Sequence, residues 1–164
     1  MKLGKILQIS VKPDTPGEHG LPKMSVSSAE IHYGGVDGDY NTYRQEKKKG
    51  ELDMAVMLIT QGILDDLNTE GWPVNNGDLG ENLTIQGLDY DCIEPEQTYR
   101  VGTALIQISF KCEPCIYLYS LPYIGDERGQ EFMKTVKDRR GWYARVLEEG
   151  VVKEGDCFQL ENSL

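Results

Sequence analysis

Short apolar runs alternate along this chain with polar, glycine-punctuated stretches, and the period of each run predicts an element. Lys5-Ile6-Leu7-Gln8-Ile9-Ser10-Val11 reads as a strand within Gly4 to Lys12, and Val26 to Tyr33 alternates well enough for a second. Ala55-Val56-Met57-Leu58-Ile59-Thr60 is a continuous apolar run of strand length, so it predicts a buried strand. A helix follows from Gln61 to about Thr69, with Ile63, Leu64 and Leu67 as its apolar stripe and Thr60 as N-cap. Asn82 to Ile85, the long region Tyr99 to Phe110, Trp142 to Leu147 and Cys157 to Leu160 are further strands. Asp126 reads as the N-cap of a second helix that runs to about Arg140, with Phe132, Met133 and Val136 on its apolar face. Arg139 and Arg140 fall in its last turn, where cations suit the dipole, and Gly141 suits the exit.

Between these runs, Pro13 to Pro22 and Gly71 to Gly80 are loops, and Gly34 to Asp39 is a glycine-rich turn. Tyr40 to Asp53, which carries Lys47-Lys48-Lys49, reads as a solvated loop. The sum is about eight short strands and two helices that do not alternate regularly, so a doubly wound sheet is not expected. A mainly β fold, a closed or nearly closed barrel with about two appended α-helices, fits better.

Composition narrows the class. A chain of 164 residues suits one domain, without repeats or low-complexity tracts. The net charge of −10 and pI near 4.7 argue against nonspecific binding to nucleic acid or to an anionic membrane. The first residues are too short and polar for a signal peptide, and no run reaches membrane-span length, so a soluble cytoplasmic protein is expected.

The chemistry concentrates in Ile108-Ser109-Phe110-Lys111-Cys112-Glu113-Pro114-Cys115. Pro114 cannot donate to a sheet ladder, so the strand stops there and Cys115 sits at a strand-to-loop junction. Lys111 lies near enough in sequence to favour a thiolate, the nucleophilic and metal-binding form. The plainer alternative is a small buried hydrophobe. Cys92 and Cys157 are far apart and His19 and His32 lie upstream, a poor spacing for structural zinc. Cys112-x-x-Cys115 leaves two chemical readings open: a dithiol pair, or one working thiol with a bystander.

Several segments together resemble one family. They are Gly35-Val36-Asp37-Gly38-Asp39; Asp78-Leu79-Gly80-Glu81-Asn82-Leu83-Thr84 followed by Gly87-Leu88; Val101-Gly102 through Ser109 into Glu113-Pro114-Cys115; and Arg140-Gly141-Trp142-Tyr143-Ala144-Arg145-Val146 followed by Gly150 and Gly155-Asp156. Their order and spacing resemble a MOSC domain, the module named after the C-terminal part of molybdenum cofactor sulfurases, over roughly residues 20–160. The resemblance implies a β-barrel and a role around molybdenum cofactor (molybdopterin), either sulfur transfer to it or holding it in a small molybdenum-dependent reductase. It makes Cys115 the persulfide carrier or molybdenum ligand and Cys112 the bystander.

A pterin phosphate would call for cations, which makes Lys111, Arg44 and Arg145 candidates; Arg139 reads better as a surface charge. Asn82 and Glu81 would shape the pocket wall. The chain departs from the family's His-Gly-Gly segment, with Lys49-Gly50 and no histidine in the comparable region. It is too short for a pyridoxal-phosphate domain that makes persulfide, so it implies a cysteine desulfurase-type donor or a redox partner protein. The other readings are a CxxC dithiol redox protein, a non-enzymatic binding module, and detoxification of N-hydroxylated bases.

Overall fold

A computed structural model of the chain describes residues 3–161. Its strands are β1 (Leu3–Val11), β2 (Met24–Val26), β3 (Ser28–His32), β4 (Gly35–Val36), β5 (Val56–Thr60), β6 (Leu83–Gln86), β7 (Thr98–Val101), β8 (Ala104–Lys111), β9 (Trp142–Glu148), β10 (Gly150–Lys153) and β11 (Cys157–Leu160). The helices are α1 (Thr42–Lys47), α2 (Gln61–Thr69) and α3 (Gly125–Thr135).

Seven strands close on themselves in the order β11-β7-β8-β9-β5-β6-β1, and β1 pairs back onto β11 through Leu3↔Gln159 and Lys5↔Cys157. Closure removes the unpaired edges that an open sheet would leave. All five residues of β5 are buried, as its unbroken apolar run requires. It lies between β9, antiparallel, and β6, parallel. Joining parallel neighbours needs a crossover, which α2 supplies, turning Leu64 and Leu67 onto the barrel. A small second sheet, β10-β3-β4, packs beside the barrel.

Four local expectations change. The predicted strand Val26–Tyr33 divides at Ser27: β2 pairs with β1, whereas β3 leaves for the second sheet and pairs with β10. The region Tyr99–Phe110 is a hairpin turning at Gly102, whose φ is +55° and where a Cβ would collide with the Val151 carbonyl oxygen. The expected loop Tyr40–Asp53 holds α1 and a short 3-10 turn, Leu52–Met54. Asn41 caps α1 by accepting from the Arg44 N–H at 3.0 Å. Finally, α3 begins two residues earlier than expected, with Ile124 rather than Asp126 as N-cap, and ends at Thr135, so Arg139 and Arg140 lie beyond it. Arg139 does serve the helix end, donating to the Thr135 carbonyl at 2.8 Å. Arg140 turns elsewhere. Thr60 stands at the N-cap of α2 but makes no side-chain capping bond.

Candidate functional site

Cys115 sits just past the end of β8, in extended backbone (φ −139°, ψ 164°), at the N-cap of the 3-10 turn Ile116–Ser120. Its thiol is half-buried and faces Arg140, whose Nη1 donates to Sγ at 3.1 Å and to the Glu113 carbonyl at 2.8 Å. The other edge of the guanidinium is pinned by Leu79, whose carbonyl accepts from Nε at 3.2 Å and Nη2 at 3.1 Å. Three separate stretches thus fix one charged fork against one sulfur. Arg140 is buried, and among the described residues it forms no ion pair with a carboxylate. Burying a cation without a counter-charge is costly, so backbone carbonyls and sulfur carry the compensation. Burial pulls the Arg140 pKa down, but the neighbouring Cys112, Cys115 and Tyr143 outweigh it, and the net shift is upward. Such a fork is matched to an anionic sulfur.

The motif Asp78-Leu79-Gly80-Glu81-Asn82 builds the wall behind this pair. Asp78 accepts from the Tyr123 hydroxyl at 2.8 Å and the Asn75 N–H at 2.9 Å, which sets the turn that presents the Leu79 carbonyl. Gly80, at φ +95°, faces the cavity beside Cys115. Glu81 is fully buried; its Oε1 accepts from the Gly77 N–H at 2.5 Å and its Oε2 has no hydrogen-bond partner. Burial pushes its carboxyl up to about 7 against the opposing Gly77 bond. Asn82 ties three segments together: Oδ1 accepts from the Met57 N–H at 3.0 Å, and Nδ2 donates to the Ser10 carbonyl at 3.2 Å and to Asp39 Oδ2 at 2.9 Å. The same Asp39 oxygen holds the buried Lys23 Nζ at 2.6 Å.

The cavity at Cys115 is small, about 30 Å³, and His19, Lys23, Met57, Tyr117, Arg140 and Tyr143 are among its walls. No Asp or Glu lines it, although acids outnumber bases in the chain as a whole. The Lys23 charge is already engaged by Asp39 behind the wall, which leaves Arg140 as the dominant donor to an anion.

Of the candidate site residues Cys115, Lys111, Arg44, Arg145, Asn82 and Glu81, only Cys115 lines this cavity. Glu81 and Asn82 stand behind it as supports. Arg44 is buried, but its guanidinium donates to the carbonyls of Glu51, Gly34 and Gly50 at 2.7, 2.7 and 3.2 Å, which locks α1 onto the glycine turn beside a different cavity. Lys111 lies over the rings of Trp142 and Tyr90, 5.4 and 5.8 Å from their centroids, facing a separate open groove. Arg145 pairs with Asp53 at 2.7 Å and Glu96 at 3.2 Å, and Arg139 with Glu70 at 2.6 Å. Arg140 and Lys23 carry the site's charge instead. The sequence places Arg140 in the last turn of the second helix, which conceals its role at the sulfur, and Lys23 gives no signal.

Cys112 is buried in a small cluster with Met54, Met57 and Tyr143, and its thiol contacts the Glu113 carbonyl at 3.7 Å. Burial raises its pKa, against Arg140 and Tyr143. No disulfide joins it to Cys115. Among the described residues, no group of three or more His, Cys, Asp or Glu is placed to hold a metal ion, and no helix is long and apolar enough to cross a membrane.

A sulfur-bearing loop at the rim of a closed seven-stranded barrel defines the class, and the MOSC domain profile matches residues 32–159. The chain belongs to the MOSC domain family, which is associated with molybdenum cofactor. It is 32% identical over 90 residues to the uncharacterized protein YflK of Bacillus subtilis, a stretch that spans 54% of this chain and only 38% of that relative. Among solved structures it is similar to YiiM from Geobacillus stearothermophilus, at 26% identity and a TM-score of 0.73 over 97% of this chain and 75% of that one. The YuaD protein from Bacillus subtilis (15% identity, TM-score 0.79, 99% of this chain and 97% of that one) and YiiM from Escherichia coli (20%, 0.68, 98% and 71%) share the fold.

Proposed function

We propose that Cys115 carries sulfane sulfur as a persulfide, in the service of molybdenum-cofactor chemistry. The observation that carries this reading is the Arg140 Nη1 to Cys115 Sγ bond of 3.1 Å in a cavity without carboxylates. A persulfide is an extended sulfur anion, and the guanidinium supplies a fixed, charge-assisted donor for it. Loading is a balanced exchange. The Cys115 thiolate attacks the outer sulfur of a donor persulfide, the donor's S–S bond breaks, and the donor leaves as a thiolate. A cysteine desulfurase-type protein is the matching donor class; a redox partner would serve the reductase alternative.

The residues fit molybdopterin itself only in part. Cys115 is a soft donor suited to such a metal. However, about 30 Å³ accommodates a water or an added sulfur atom, not a pterin. The cations expected for its phosphate, Lys111, Arg44 and Arg145, do not line the cavity. We therefore favour carriage of sulfur over cofactor binding.

The test is whole-protein mass spectrometry after incubation with a persulfide-loaded desulfurase. Wild type and Cys112→Ser gain one sulfur atom, and Cys115→Ser gains none. Equal loss in both single variants would favour the dithiol reading, and unchanged loading in Cys115→Ser would remove Cys115 from the function.

A further inference from the structure

The mouth of the Cys115 cavity is formed by two rings from distant parts of the chain. His19, exposed in the loop between β1 and β2, stacks on Tyr117 with centroids 5.8 Å apart and planes at 23°. Tyr117 lies two residues beyond Cys115, and its hydroxyl donates to Glu46 Oε2 of α1 at 3.1 Å. Both rings line the cavity. The His19 loop is braced at one point: a Cβ on Gly20, at φ +75°, would meet Thr42 Oγ1 at 2.9 Å, so the loop lies directly against the start of α1. Beyond Cys115 the chain is exposed again at Ile116. A half-buried sulfur thus shares its cavity with an aromatic pair that belongs neither to the barrel nor to the Arg140 fork.

We propose that His19 and Tyr117 determine specificity at Cys115: together they admit small sulfur-bearing anions and exclude bulky thiol reagents until the pair separates. The size of the cavity sets the first half of this filter, since about 30 Å³ holds one or two small atoms. Its lining sets the second, since Arg140 donates to the Cys115 sulfur and no carboxylate is among the walls. A protein-borne persulfide reaches Cys115 only when the stack parts, so a donor must displace His19 as it docks. The inference rests on Cys115 being the working sulfur, but access can be measured without any persulfide.

The experiment compares hydrogen peroxide, which has two heavy atoms, with the bulkier N-ethylmaleimide, and modification at Cys115 is scored by peptide mapping apart from Cys92, Cys112 and Cys157. In His19→Ala the bulky reagent is expected to gain roughly fivefold in rate, the equivalent of one aromatic pair, while the small reagent changes by less than about twofold. Glu46→Ala lies outside the cavity and removes the acceptor of the Tyr117 hydroxyl without touching either ring, and a smaller gain with the same selectivity is expected. If both reagents accelerate alike in these variants, or neither does, the filter is wrong. Labelling rates report on access alone, so a failed filter and a failure of Cys115 to load with sulfur remain distinguishable.

Discussion

Arg140 and Arg145 lie in one short segment, yet they occupy opposite electrostatic worlds. Arg145 projects from β9 onto the outer wall of the barrel, where Asp53, Glu96 and Gln107 surround its guanidinium. Arg140 precedes the same strand, is buried, and meets only carbonyls and a thiol. From the sequence, Arg145 interrupts an apolar strand and is the more suspicious of the two. The comparison teaches that interruption of a pattern is a weak sign of function, because partial exposure and nearby acids satisfy such a charge. A cation whose charge the fold has not neutralised is the stronger sign.

The comparison breaks most readily at Arg140. Arg140→Gln leaves the Leu79 and Glu113 carbonyls short of donors and removes the cation facing Cys115. We expect a loss of about 2–4 kcal/mol in urea denaturation, together with a large fall in persulfide loading. Arg140→Lys keeps the charge but not the fork, and is expected to recover part of the stability and little of the loading.

A second test sharpens the contrast on the wall that holds Leu79. Glu81 is a buried acid whose folded pKa, about 7, lies above its unfolded value. Its contribution to stability is therefore fully present below the unfolded pKa and is lost as pH rises through the folded one. Thermal melts of the wild type should weaken between about pH 5 and pH 8 by up to roughly 3 kcal/mol from this group. Glu81→Gln should flatten that slope, and an unchanged slope would mean that water or a counter-charge reaches Oε2.

The smallest effect is expected at Arg145. Its pairs are partly exposed and screened, so Arg145→Gln should cost no more than about 1 kcal/mol and leave Cys115 loading unchanged. A large loss of loading there would overturn the distinction between the two arginines.

The barrel was legible because its strands carry their burial in their spelling. Val56–Thr60 is apolar throughout because it is buried throughout, and α2 follows it at the expected residue because a helical stripe begins where the strand run stops. The second sheet was not legible, because Met24 to His32 keeps alternating while its hydrogen-bond partner changes from β1 to β10 at Ser27. The site was half legible. Cys115 stood out through Pro114 and the end of a strand, and Asp78–Thr84 through its composition. What each residue of that motif does depends on contacts between distant segments: Leu79 meets Arg140 across 61 residues, and Asn82 meets Ser10 across 72. Arg44 shows the converse, since a run of charges concealed an anchor that is buried.

The pairing of β1 with β11 has a consequence in time. The barrel closes only when Cys157–Leu160 is available to zip onto Leu3–Lys5, and pairing across such a separation is slow compared with local structure. Cys115 follows β8 and Arg140 precedes β9, two strands that pair directly with each other and lie away from that seam, so the meeting of the thiol with its guanidinium does not wait for the barrel to close.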